Sequence, residues 1–455
     1  MVSSQNLRNT LIAGAIAAVA ALIGGSCMGW MSPSEAKLSE ENGTVLLLTK
    51  AQLSWVGSLL ALGSAVGPLA AGKVADRIGR KWSLIWLTVP FLLGWLLKGL
   101  AEPCDSVEML YAARFIHGVA NGVVFTALPM YSGEIAADSV RGALGSFLQL
   151  LITIGYIYEY AIGPYVPFWV LPVVSAVIPA VWAVAMFFMP DSPYYLISKG
   201  RDEEARSALK WLRGTNDVDD EMNEMKEEVK ESQLTETSLR DLITNKGNRK
   251  ALIISMGLVA GQQLSGINAI LFYSTTIFEK THSSLSADVA TIIIGVVMFL
   301  ASCITPLVVD RLGRRPLFFI SAIGMTLGQA VLGAYFYMSD EDESSVEDIG
   351  ILPIISLIFY IIVYCPGFGA LPWAVMGELF PSNVKANASS VTASFCWILA
   401  FFITKFFSDL ADAIGMSYTF WMFGIFCIIA GLFVFFLLPE TKGKSLLEIQ
   451  EMLNK

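Results

Sequence analysis

Charge is what this sequence lacks. Only 15% of its 455 residues are Asp, Glu, Lys or Arg, against about 25% in soluble domains. That deficit excludes an ordinary soluble enzyme and a disordered chain. Basic residues are the scarcer sign, 30 against 39 acidic, for a net charge of −9. No basic face is available for phosphates, so no nucleic-acid partner is expected. Histidine is nearly absent (His117, His282), which leaves little for metal ligation or acid–base catalysis; neither a metal, a cofactor nor an enzyme activity is expected. The six cysteines, Cys27, Cys104, Cys303, Cys365, Cys396 and Cys427, form no CxxC pair, and five fall in apolar stretches. That pattern fits neither a disulfide framework nor a zinc site.

What is present is apolar length. The composition is 55% hydrophobic with a mean hydropathy of +0.61. Runs without Asp, Glu, Lys or Arg lie at 9–34, 51–72, 82–97, 115–133, 142–158, 160–190, 251–278, 289–309, 316–339, 349–377, 386–404 and 413–438. A bilayer core takes about 20 apolar residues as helix, so these runs predict twelve spans. The third extends past Lys98, read as snorkelling to an interface, and the fifth past Glu159. The first run is too long for a signal peptide. The lipid bilayer is therefore a partner of the chain. Loops holding Asp76-Arg77-Ile78-Gly79-Arg80-Lys81 and Asp310-Arg311-Leu312-Gly313-Arg314-Arg315 alternate with loops holding Glu40-Glu41, Glu102 with Asp105, and the acidic run from Asp340 to Glu343. The basic set is cytoplasmic by the positive-inside rule, which places both termini in the cytoplasm. Asn42-Gly43-Thr44 is then a glycosylation sequon in the first external loop, whereas Asn387-Ala388-Ser389 falls at a cytoplasmic helix end. The polar stretch 191–250 reads either as a solvated linker with surface helices or as a helical subdomain on the inner face.

A repeat runs through the chain. Asp76-Arg77-Ile78-Gly79-Arg80 recurs as Asp310-Arg311-Leu312-Gly313-Arg314. Gly133-Glu134-Ile135 with Arg141 recurs as Gly377-Glu378-Leu379 with Lys385. Pro190-Asp191 recurs as Pro439-Glu440. Three landmarks in the same order predict an all-α membrane protein of twelve transmembrane helices in two six-helix bundles, 1–190 and 251–438, joined by a cytoplasmic helical linker, 191–250, and followed by a tail, 439–455. Such proteins bind substrate near the midplane between the halves. The repeated acid–base pattern assigns Arg80, Glu134, Arg314 and Glu378 to a gate that holds the inner side shut; plain topology, with Arg and Lys fixing loops inside, is the other reading.

Amides inside spans are costly and face a cavity or a partner helix. Gln262, Gln263 and Asn268 fall within seven residues, with Ser265 and Gly266 between them, and Gln149 lies in the opposite half. Amides both donate and accept, as a polyol requires. Trp373, after Gly367, Gly369 and Pro372, offers an aromatic face to a sugar ring. The alternative for each amide is glue between helices.

These residues carry a resemblance. The chain resembles the sugar porters of the major facilitator superfamily, which include the facilitative glucose transporters, over essentially its whole length. The motifs are Asp76-Arg77-x-Gly79-Arg80, Pro129-x-Tyr131-x-x-Glu134, Pro190-Asp191-Ser192-Pro193, Gln262-Gln263-x-Ser265-Gly266-x-Asn268, Asp310-Arg311-x-Gly313-Arg314-Arg315 and Pro439-Glu440-Thr441-Lys442-Gly443. The stretch from Gly367 to Pro381 resembles the insect facilitated trehalose transporters. The resemblance implies that Gln149, Gln262, Gln263 and Asn268 contact sugar hydroxyls, that Trp373 stacks near the sugar, that Tyr273 closes the outer gate, and that Arg141 joins Arg80, Glu134, Arg314 and Glu378 in the inner charge network. It also implies a plasma-membrane transporter that works as a monomer. Departures lie at Met298, Cys365 and Cys396, where relatives carry polar contacts, and at Ala370, Tyr194 and Lys385. They point away from glucose selectivity, toward another hexose, a disaccharide or weak affinity.

Proton-coupled relatives carry an acid in helix 1. Here Met31 stands at that position, and the first acid, Glu35, is read as lying in the external loop. Glu159 is read as an interfacial acid facing water or a helix partner, and His117 as a satisfied core residue. The sequence thus favours facilitative uniport over proton symport, and both over a non-transporting sensor, since only about sixteen residues follow Pro439.

Overall fold

The computed structural model describes residues 7–40, 44–137, 139–234 and 238–454. Asn42 lies outside them. Twelve long helical spans follow in chain order: span 1 Arg8–Leu38, span 2 Lys50–Ile78, span 3 Arg80–Ala101, span 4 Val107–Ile135, span 5 Arg141–Ile162, span 6 Val170–Phe187, span 7 Lys246–Phe272, span 8 Ala287–Leu312, span 9 Arg314–Glu341, span 10 Leu352–Leu379, span 11 Ser382–Ile414 and span 12 Met416–Leu437. Among the described residues, ten helices are long and apolar enough to cross a membrane by length and composition. Spans 4 and 5 are long enough too, but Arg114, His117, Asn121, Gln149 and Glu159 dilute their hydropathy.

Packing repeats as the motifs do. In the first half span 1 packs on 5, 2 on 4 and 3 on 6; in the second, 7 packs on 11, 8 on 10 and 9 on 12. The halves meet through span 2 against 11 and span 5 against 8. Without a hydrophobic drive between helices in lipid, small residues must let backbones approach. Spans 2 and 4 do so through Gly63, Gly67, Gly118 and Gly122: a Cβ on Gly63 would lie 2.3 Å from the Phe115 carbonyl, and one on Gly118 2.2 Å from the Leu60 carbonyl.

The repeated loop motif is a helix junction. Gly79 (φ +100°) and Gly313 (φ +85°) separate spans 2 and 3, and spans 8 and 9. The Asp191 carboxylate accepts from the Lys81 N–H at 3.1 Å. The Glu440 carboxylate accepts from the N–H groups of Arg314 (3.2 Å) and Arg315 (3.0 Å). Each acid therefore caps the N-terminus of the helix that follows the glycine, where the helix dipole favours negative charge. Partial burial alone would raise Glu440, but backbone N–H groups of Lys442, Arg315, Arg314 and Thr441 outweigh it and hold the carboxyl below its usual range.

Between the halves lie helices Pro193–Ser198, Asp202–Arg213, Asp219–Leu234 and Asp241–Thr244. Tyr195, Leu196, Leu209, Met222 and Met225 form a small core of their own. Arg213 fastens this layer to the first bundle. It pairs with Glu221 at 2.7 Å and donates to the Ile135 carbonyl (2.9 Å) and to Thr10 Oγ1 (3.1 Å). Thr10 Oγ1 in turn donates to the Leu212 carbonyl at 2.7 Å. We call this face the linker side; the described chain ends lie there too, since Lys246 Nζ reaches the Asn454 carbonyl at 2.9 Å.

Two sequence readings are corrected. Lys98 does not snorkel: it is 0% exposed inside the first bundle, over the rings of Trp30 and Trp95. Glu35 is not in a loop: it lies in the helix Met31–Leu38 that continues span 1, and is 6% exposed. Of the two readings of Glu159, the helix partner holds and the water does not: it is 0% exposed and accepts hydrogen bonds from Ser26 of span 1 and Ser175 of span 6.

Because Arg213 is buried with a charge partner and two further acceptors, Arg213→Ala should cost about 2–4 kcal/mol. Thermal unfolding of the detergent-solubilised protein should fall by several degrees; an unchanged transition would refute the docking role.

Candidate substrate site and gates

Helix breaks create the site. In span 7 the helix stops at Leu264, Gly266 adopts φ +84°, and helix resumes at Ile267. The freed Ser265 carbonyl accepts from Gln329 Nε2 (2.8 Å) and Tyr360 Oη (3.1 Å). Span 10 breaks into a wide turn at Cys365–Gly369, with Gly367 at φ −101°, ψ −105°. The carbonyls of Phe368 and Gly369 accept from Gln262 Nε2 at 2.7 and 3.0 Å. An unsatisfied carbonyl in hydrocarbon costs several kcal/mol in broad terms, so these bonds are obligatory.

From there a relay of polar groups runs along span 7. Asn268 Nδ2 donates to Gln263 Oε1 at 2.6 Å, and Gln263 Nε2 to Cys396 Sγ at 3.1 Å. Cys396 Sγ lies 3.7 Å from Gln262 Oε1. All four residues are buried. Thiols are weak donors and acceptors, so Cys396 is the weakest link and the contact a hydroxyl would most readily replace. Across the interface Gln149 is half-buried and makes no hydrogen bond among the described residues. Trp373 is half-buried at the edge of the core.

The side opposite the linker is closed. Ser32 Oγ lies 3.0 Å from Thr275 Oγ1, and Thr276 Oγ1 donates to Glu35 at 2.6 Å. Tyr160 Oη donates to the Leu271 carbonyl at 2.5 Å, Lys405 Nζ to Ser54 Oγ at 3.0 Å, and Lys50 pairs with Asp412 at 3.1 Å. Each joins one half to the other. Tyr273 bonds within the second half, to the Thr404 carbonyl (2.8 Å), and stacks on Phe407. Its hydroxyl seats against Gly57 of span 2. At the linker side, by contrast, a Cβ on Gly133, Gly142 or Gly145 would meet nothing within 4 Å.

The repeated ion pairs lie at the linker side. Arg80 meets Glu134 at 2.9 Å and Asp76 at 2.9 Å; Arg314 meets Glu378 at 2.7 Å, and Thr441 Oγ1 donates to Glu378 at 2.5 Å. Both pairs join elements of one half, not the two halves to each other.

A family model described as "Sugar (and other) transporter" matches residues 10–453. The chain belongs to the sugar transporter family. Its relatives include the facilitated trehalose transporter Tret1 of Bombyx mori, 37% identical over 96% of this chain and 86% of that protein. The Culex quinquefasciatus Tret1 is 36% identical over 96% and 84%. The Aedes aegypti Tret1 is 36% identical over 96% of this chain, which spans only 54% of that longer protein. Among solved structures, the xylose transporter XylE from E. coli in a partially occluded inward-open conformation aligns with a TM-score of 0.80, 24% identity, and 96% and 99% coverage. XylE bound to 6-bromo-6-deoxy-D-glucose, described as a proton:xylose symporter of the major facilitator superfamily, aligns at 0.77, 24% identity, and 98% and 99% coverage. At that identity the likeness is one of fold.

Within this family member, the structure joins Gln262, Gln263 and Asn268 in one network. It leaves Gln149 and Trp373 outside it, and Arg141 at the exposed start of span 5. Both donor contacts of Gln262 go to backbone, so its amide is helix glue in this state. Sequence reasoning missed the capping role of Asp191 and Glu440; the paired Pro-acid landmarks were the available signal. It also missed Ser32, Thr275 and Thr276, short side chains that carry no distinctive pattern.

A Cβ on Gly57 would lie 2.4 Å from the Tyr273 hydroxyl. Gly57→Ala should therefore disfavour closure of that side, with uptake falling about fivefold or more. A cysteine at position 275, with Cys104 replaced, should label faster with an impermeant maleimide; equal labelling would contradict the seat.

Proposed function

We propose that this chain is a facilitative sugar uniporter that carries trehalose or a hexose by alternating access. The observation that carries the reading is the buried amide network at the break of span 7. It lies below contacts that join the halves on the side opposite the linker, in a chain similar over 96% of its length to facilitated trehalose transporters. Gln149, Gln262, Gln263 and Asn268 would bind hydroxyls, and Trp373 would take the ring face. Sugar hydroxyls would displace the Cys396 contact, which couples binding to the two broken spans. Tyr273 belongs to the outer gate. Arg80, Glu134, Arg141, Arg314 and Glu378 form the inner charge network, acting by bracing each half rather than by latching the halves together.

The linker side, with its Arg-rich loops, is assigned to the cytoplasm, and both termini with it. The bundles span 1–190 and 251–438, with 191–250 as the intracellular helical domain and 439–455 as the tail. The chain works as a monomer in the plasma membrane, and Asn42 carries a glycan. Met31 at the position where proton-coupled relatives carry an acid supports uniport over symport; the acid that span 1 does hold, Glu35, lies four residues on and is bonded by Thr276.

Counterflow in proteoliposomes with labelled trehalose, glucose and fructose tests this reading. At least one sugar should exchange, with no effect of a protonophore. Gln263→Ala should weaken it about 5- to 30-fold, the worth of one or two hydrogen bonds. Uphill uptake abolished by protonophore would overturn uniport, and normal transport of every sugar by Gln263→Ala would overturn the site.

A further inference from the structure

The first bundle holds buried ionisable groups that touch neither the amide network nor the linker-side ion pairs. Lys98 of span 3 is 0% exposed, and its Nζ has no protein hydrogen-bond partner. It sits between two indoles, 4.1 Å from the ring centre of Trp30 and 4.2 Å from that of Trp95. Glu159 of span 5 is also 0% exposed. Its Oε1 accepts from Ser26 Oγ of span 1 and from Ser175 Oγ of span 6, the latter at 2.9 Å, while Oε2 has no protein partner. The two groups lie within electrostatic reach of each other without an ion pair.

Their surroundings are cationic or neutral. Span 4 contributes Arg114, which donates to the carbonyls of Val56 (2.8 Å), Cys27 (2.6 Å) and Gly57 (3.1 Å), and His117, whose Nε2 lies 2.9 Å from the Phe91 carbonyl and whose Nδ1 has no protein partner. Span 1 contributes Cys27, and span 5 itself Tyr158. The one acid of the cluster thus lies within electrostatic reach of Lys98, and Lys98 within reach of Arg114, in a dry core. A buried polar group left without a partner is costly and calls for an explanation.

The cluster also abuts the closed gate. Tyr160, next to Glu159, bonds the Leu271 carbonyl across the halves. The Arg114 guanidinium lies 5.7 Å from the Trp30 ring and 5.7 Å from that of Phe272, the residue before Tyr273. The Tyr160–Leu271 and Arg114–Phe272 contacts both join one half to the other, so the halves part on this side only by breaking them.

We propose that Glu159, with Lys98 beside it, is a proton-binding site titrated from the external side, and that it makes gate opening depend on external pH. The step is a simple transfer: a hydronium gives its proton to Glu159 Oε2, leaving a neutral carboxylic acid and water, and the reverse restores the carboxylate. Lys98 stays on the indole faces, where a cation is favoured. Water stabilises the carboxylate only in the open state, so alkaline conditions favour opening. Acid neutralises Glu159 and leaves the dry, closed state preferred. The proton regulates and is not cargo, which leaves the uniport reading intact.

Labelled trehalose and 2-deoxyglucose uptake by cells expressing the full chain tests this. Initial rates should rise about threefold as external pH goes from about 5.5 to about 8. Glu159→Gln should be flat at the acid-limb rate, Glu159→Asp should keep the slope, and Lys98→Gln should move the midpoint to higher pH. A flat wild-type profile, an unchanged slope in Glu159→Gln or an acid-ward shift in Lys98→Gln would overturn the proposal. A second readout needs no sugar: tryptophan emission of the purified protein should titrate over the same range, and the change should vanish in Glu159→Gln and shrink in Trp95→Phe. This arm decides the matter even where neither sugar is transported, so its failure is separable from that of the sugar reading. Sugar-driven acidification of pyranine-loaded proteoliposomes that is lost in Glu159→Gln would also overturn it, since the proton would then be cargo.

Discussion

A carbonyl group freed inside a membrane protein must find a donor, and the interior of this chain is arranged around that requirement. Where spans 7 and 10 break, the carbonyls of Ser265, Phe368 and Gly369 lose their helical partners. Gln329, Tyr360 and Gln262 supply the missing donors. The amides that mend the breaks lie buried at the centre of the second half. On the proposed site assignment, binding chemistry and backbone repair share the same side chains, so a hydroxyl bound there perturbs the broken helices directly. The Cys396 thiol is where this economy is loosest, because sulfur bonds an amide poorly.

The same logic organises the linker side. Each half begins its third span after a glycine at positive φ and must satisfy the N–H groups exposed there. Asp191 and Glu440 do so from the end of the sixth span of their own half. The Arg–Glu pairs beside these caps tie the same third span of each half to the fourth. Internal bracing of each half explains why acid and base recur in register. The two halves must each hold shape while their relation to one another changes.

Much of this was legible in the sequence. Twelve apolar runs, the recurrence of Gly79 at Gly313 and of Asp191 at Glu440, and three amides in seven residues of span 7 all left compositional traces. What failed was placement. Lys98, Glu35 and Glu159 each read as boundary residues, because a charge near the end of an apolar run ordinarily marks an interface. Burial of an ionisable group is decided by neighbours distant in sequence: Trp30 for Lys98, Thr276 for Glu35, Ser26 and Ser175 for Glu159. No local pattern encodes them. For the ion pairs, pattern named the four residues, Arg80, Glu134, Arg314 and Glu378, but neither which acid each base meets nor whether a pair joins the two halves or braces one.

The glycine seam between spans 2 and 4 has a mechanical consequence. With Gly63 and Gly67 lying backbone to backbone against Gly118 and Gly122, the two helices have almost no side-chain cushion along that line. Such a contact resists sliding, because any shift drives carbonyl into Cα. The first bundle therefore behaves as a stiff lever, its interruptions at Trp30 and Leu87 keeping right-handed helical angles, while the second carries the sharper breaks, at Ser265–Gly266 and at Cys365–Gly369. Two halves that look like copies divide the labour of motion unequally: one transmits displacement and the other yields to it.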